Sequence, residues 1–149
     1  MANPAAAAVA REFISLGRRV TVKQAGDENG AHFDPMQAII YWEDLPFNPE
    51  TANLLSIPQA TNIYPSWIVL AHEIGHVIQF GTSLMEPETW MRRYMNFQEF
   101  VEMDNIIRHE TPIVKSLNLI PRVAYTYNGG NNVRAVKRAK ADLRRLGKK

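Results

Sequence analysis

The sequence predicts one α+β domain, in which a small antiparallel sheet packs on a buried helix and a second, longer helix follows. Three observations lead there. Residues 67–80 are apolar at helical spacing, with Pro65 and Ser66 in front and Gly81 behind as start and stop signals. Residues 20–24 and 38–42 are short runs rich in β-branched and aromatic side chains. Residues 88–110 then carry apolar side chains at helical steps for long enough to cross a domain. At 149 residues and 46% hydrophobic the chain can bury a real core, and with no cysteine it has neither a disulfide framework nor a Cys-type zinc finger.

Residues 4–17 read as an Ala-rich first helix with Val9, Phe13, Ile14 and Leu16 on its apolar side and Gly17 as its stop. Residues 20–24 alternate as a strand, and 25–30 are a turn-rich connector. His32, Phe33, Asp34 and Pro35 read as a short approach and turn before the second strand at 38–42. Residues 45–66 hold four prolines, a loop long enough to shape a site. Pro87 near the first helical position opens the helix at 88–110, with Asn96 as a break point. A Gly/Asn break at 128–132 separates the domain, residues 1–130, from a basic C-terminal helix or tail, residues 131–149.

Inside the buried helix stand His72, Glu73, Ile74, Gly75 and His76, an HExxH run. Residues four apart on a helix lie on one face about 5–6 Å from each other, so the two imidazoles can close on a single metal ion with Glu73 beside it. In this arrangement the histidines bind zinc and the glutamate serves as general base on a water molecule. The plain alternative is a buried helix whose polar groups are satisfied by ordinary hydrogen bonds, which is costly for three such groups in an apolar setting. Gly75 costs about 1 kcal/mol against alanine inside a helix. Its expected use is close approach of another backbone element beside the metal.

A catalytic zinc takes three protein ligands and keeps one position open. Spacing excludes a third histidine six residues past the second, because Gln79 and Thr82 stand where glycine and histidine are needed. A carboxylate from the second helix remains. Glu102 is the first choice, with Glu99 and Asp104 as alternatives; Asp104 also suits the outer N–H of a ligating imidazole.

Residues 71–79, together with His32 to Pro35 and residues 101–104, resemble the neutral zinc metallopeptidases of the YugP type. Residues 101–110, with 120–125, resemble more closely the NleD-type effector metalloproteases of bacteria that enter host cells. These resemblances span residues 31–127 and imply a zincin fold, zinc as cofactor and a protein or peptide substrate cleaved by a gluzincin-like endopeptidase. Arg122 and Tyr125 match the effector family's Arg-x-x-Tyr, which implies Tyr125 as donor to the developing oxyanion; Tyr127, Arg122 and His109 are the other donors available.

The formal charge of +2 conceals an asymmetry: residues 134–149 carry eight Lys or Arg and one Asp, a local +7 that leaves −5 for the rest. Val136, Ala139, Leu143 and Leu146 give this tail an apolar side. A contact with nucleic acid or an anionic surface is its functional alternative to plain docking, though no aromatic interleaves the basic residues. The competing function, from a different class, is a catalytically inactive metal-binding module whose tail contacts a polyanion. No run reaches the length of a membrane span, and Met1 to Pro4 lack a basic secretory leader. The expectation is a cytoplasmic protein, or an effector exported without a cleaved signal.

Overall fold

The computed structural model describes residues 3–26, 30–49, 62–81 and 97–122. Helix α1 (Pro4–Ser15) is opened by Asn3, whose side-chain oxygen accepts from the backbone N–H of Ala5 and Ala6 at 3.0 and 3.1 Å. Gly17, at φ +63°, takes the left-handed conformation that ends it. One face of α1, centred on Val9, packs on Tyr64, Ile68, Ile78, Ile113 and Val114, the main core of the molecule.

Three strands follow: β1 (Thr21–Gln24), β2 (His32–Asp34) and β3 (Ile39–Trp42), in the sheet order β1-β3-β2. The expected antiparallel sheet is mixed. β2 pairs antiparallel with β3, setting Phe33 opposite Ile40, but β1 pairs parallel with β3, setting Val22 opposite Ile40. The reason is the short approach before Pro35, which is itself a strand. With β2 between them the chain reverses twice from β1 to β3, so these two strands run the same way. The β2–β3 turn is held by the Asp34 carboxylate, which accepts from the N–H of Met36 and Gln37 at 2.9 and 3.1 Å.

Helix α2 (Ser66–Gly81) starts and stops at the residues the sequence marks. Ser66 does not act as its cap: its hydroxyl donates to Asp44, while its carbonyl accepts Trp42 Nε1–H at 2.9 Å, tying the start of α2 to the end of β3. Phe33 meets Phe80 edge-on at 5.8 Å, so the sheet lies along the same helix near its end.

The second long helix is described from helix α3 (Phe97–Asn105), passes through a π turn (Ile106–Glu110) and continues as helix α4 (Thr111–Ser116). The N–H of Thr111 reaches the carbonyl of Ile106, and Pro112 offers no N–H to the turn that follows. A π turn holds one extra residue and so sets the helix phase back by about 100°. Glu110, eight residues past Glu102, would otherwise sit roughly 80° away from it; the slip brings it round to the same face.

After α4 the chain returns beneath α2. The Asn62 side chain grips Ile120 at both backbone groups, Nδ2–H to its carbonyl at 3.2 Å and Oδ1 from its N–H at 2.8 Å. The Tyr64 hydroxyl donates to the same carbonyl at 2.6 Å, and Tyr64 is bridged to Phe47 by paired backbone bonds. The ends of the proline-rich loop thus clamp the segment that carries Arg122. The centre of that loop, the break at Asn96, the boundary at 130 and the basic tail lie outside the described residues. No helix among the described residues is long and apolar enough to cross a membrane.

Candidate metal centre

α2 and α3 run in opposite directions side by side, Val101 lying by Gln79 and Glu110 by His72. Their close approach depends on Gly75. A Cβ there would overlap Asn105 Oδ1 and stand 2.9 Å from Asn105 Cγ and from His109 Nδ1. The approaching group is a side chain, not the backbone expected from the sequence. Asn105 is fully buried; its Nδ2–H donates to the His72 carbonyl at 2.8 Å and its Oδ1 accepts from His109 Nδ1–H at 2.8 Å.

Across this contact His72, His76 and Glu102 converge, each offering a ligand atom within 4.8 Å of the others. His72 Nε2 lies 3.2 Å from Glu102 Oε2, and His76 Nε2 lies 3.3 Å from Glu102 Oε1. Tetrahedral ligands about 2.0–2.1 Å from an ion stand roughly 3.3–3.4 Å apart, which these two separations match. The group can hold a metal ion. Glu99 is buried at 4% exposure and stands outside it.

Both imidazoles are gripped from behind. His76 Nδ1 is 2.8 Å from Gln79 Oε1, while Gln79 Nε2–H donates to Asp104 at 2.7 Å and to the Val101 carbonyl at 2.8 Å. Gln79 thus links the Asp104 carboxylate to the His76 ring. His72 Nδ1 is 2.9 Å from Glu110 Oε2, and Glu110 is paired with Arg122, whose Nε donates to Oε1 at 2.8 Å. Such outer partners fix the tautomer and orientation of a ligating histidine.

Glu73 is 5% exposed and neighbours His72 on α2; no hydrogen bond or ion pair engages its carboxylate among the described residues. Of the oxyanion donors suggested by the sequence, Arg122 is held by Glu110 and His109 Nδ1 by Asn105. Tyr125 and Tyr127 lie outside the described residues.

The charges of the cluster are strongly coupled. Burial opposes a charged His72, but hydrogen bonds to Glu102 and Glu110 prevail and raise it from the ordinary 6.5 to about 9. Burial likewise opposes the charge on Glu110, yet the Arg122 guanidinium and the His72 hydrogen bond carry it down to about 2. Glu102 is held well below the usual carboxylate range by both histidines, against its own burial. In the metal-free chain, His72 contributes stability that is full below about pH 6.5 and lost as pH rises through about 9. Glu110 contributes stability that is full above about pH 4.5 and lost as pH falls towards about 2. Chelator-treated protein is thus expected to have its highest denaturant midpoint between these limits and to weaken on the alkaline side. Added zinc, which competes with the proton on His72, should reverse the alkaline slope.

Comparison with protein-family models, with curated proteins and with solved structures finds no match to this chain.

Glu110, Gln79, Asn105 and the clamping use of Arg122 escape the sequence reading. Gln79 stands three residues past His76, a spacing that puts it on the same face, but the sequence reading gives it no role beside the metal. Glu110 had no such signal, because the phase slip that turns it inward is not written in the apolar periodicity.

Proposed function

We propose that this chain is a zinc-dependent endopeptidase with a zincin-like core, in which His72, His76 and Glu102 hold the ion. The observation that carries this reading is the convergence of two imidazole Nε2 atoms on one carboxylate, with a buried Glu73, unengaged among the described residues, next along the same helix. Zinc bound there would supply Lewis-acid polarisation of a water molecule and of a peptide carbonyl, with a position left open for them. Glu73 accepts the proton of the attacking water and returns it to the departing amine, so that one carboxylate serves as base and then as acid. Gln79 and Glu110 keep the two rings turned towards the metal position during these steps. Tyr125 is the oxyanion donor that the family resemblance implies, and the engagement of Arg122 and His109 elsewhere favours a tyrosine.

The test is metal content of the purified chain beside His76→Ala and Glu102→Ala, with chelator-sensitive cleavage of an unstructured protein followed in the same samples. About one zinc per chain, lost in both variants together with cleavage, is the expected result. Zinc without cleavage would turn the reading to the metal-binding module, and a zinc-free parent would reject both.

A further inference from the structure

We propose that Glu110 and Arg122 are positioning residues: locked to the segment around Ile120, this buried ion pair holds the Nδ1–H of His72 and so aims Nε2 at the metal position. The inference rests on the zinc reading above and extends it to residues that touch no ligand position.

Four observations support it. Glu110 is 1% exposed and lies on the far side of the His72 ring from Glu102, with Nδ1 at 2.9 Å from Glu110 Oε2 and Nε2 at 3.2 Å from Glu102 Oε2. The pair is two-pronged, Arg122 Nε reaching Oε1 at 2.8 Å and Nη2 reaching Oε2 at 2.5 Å, so the carboxylate plane is fixed and not merely neutralised. Arg122 is itself held, its guanidinium lying 5.1 Å from the centre of the Phe47 ring. Phe47 is bridged to Tyr64, whose hydroxyl, with Asn62, clamps Ile120 two residues before Arg122. This closes a ring of contacts behind His72. Ion pairs so deeply buried add little stability over an apolar pair of equal size. The orientation of His72 is a use that an apolar pair could not serve.

His76 needs no such device, since Gln79 of its own helix holds its ring. Metal affinity should therefore depend on residues 62–64 and 119–122 through His72 alone.

The test uses the full chain and zinc. Zinc affinity is measured by chelator competition for the parent and for the double variant Glu110→Gln/Arg122→Met, which removes both buried charges together. Side-chain 15N spectra report the histidine tautomers in the same samples. In zinc-loaded samples the expected result is a parent with His72 protonated at Nδ1 alone, and a double variant that binds zinc about 10–100-fold more weakly with His72 partly protonated at Nε2 instead. An affinity within about threefold of the parent, with the tautomer unchanged, overturns the proposal and leaves the zinc reading intact. Should the variant fail to fold, the zinc-loaded parent decides: a His72 Nδ1–H proton resonance that lies far downfield and exchanges slowly with water, as for a donor to a buried carboxylate, upholds the proposal, and one in fast exchange with water overturns it. A parent without zinc overturns this inference and the peptidase reading together.

Discussion

Glu73→Gln is expected to bind zinc like the parent and to cleave an unstructured protein about 10²–10⁴-fold more slowly, the usual contribution of a general base. The substitution keeps the size and shape of the side chain and removes only its capacity to take a proton. Since the Glu73 carboxylate has no hydrogen-bond or ion-pair partner among the described residues, the change strands no neighbour there. Glu102→Gln would be a poorer probe, because that carboxylate faces both His72 and His76. Zinc content and turnover measured on one preparation separate the two roles. Cleavage at the parental rate would show that another group takes the proton.

The second large effect is expected at Gly75. Alanine there gains about 1 kcal/mol in helix propensity. Against this its Cβ overlaps Asn105 Oδ1 and stands 2.9 Å from His109 Nδ1. Overpacking of this kind costs about 1–3 kcal/mol, and expelling Asn105 leaves the His109 Nδ1–H without its acceptor, about 1–3 kcal/mol more. At the middle of these ranges the clash wins by about 3 kcal/mol, which lowers Tm by roughly 6–12 °C in a chain of this size. Zinc affinity should fall as well, since α3 carries Glu102 and must move away from α2. Gly75→Ala combined with Asn105→Ala should recover part of the loss, a coupling that thermal unfolding of the four members of the cycle measures directly. Equal stability of Gly75→Ala and the parent would mean that the helices can separate at no cost.

How much of this could be read in advance varies along the chain. The bounds of α2 were legible because Pro65, Ser66 and Gly81 punctuate an apolar run, although Ser66 turned out to bond Asp44 instead of capping the helix. Glu102 emerged from ligand chemistry and helical phase, both local properties. The parallel pairing of β1 and β3 was not legible, since it depends on whether three residues before a proline form a strand. That is decided by their partner Ile40, buried beneath α2, and not by propensity. The grip of Asn62 and Tyr64 on Ile120 joins residues 56 and 58 apart in sequence, and no periodicity announces such contacts.

The π turn also decides which kind of hydrogen-bonding group faces His72 Nδ1. In an unbroken α-helix the residue seven places after Glu102 returns to its bearing, within about 20°. That residue is His109. The extra residue in the turn hands the place behind His72 to Glu110 and sends His109 towards Asn105 and Glu12, where its Nε2 lies 3.6 Å from the Glu12 carboxylate. An imidazole behind His72 could present either a donor or an acceptor to its Nδ1, whereas an ionised carboxylate presents only an acceptor. A single residue of helical phase, with no change of composition, therefore selects which ring nitrogen of His72 is left facing Glu102 without a proton.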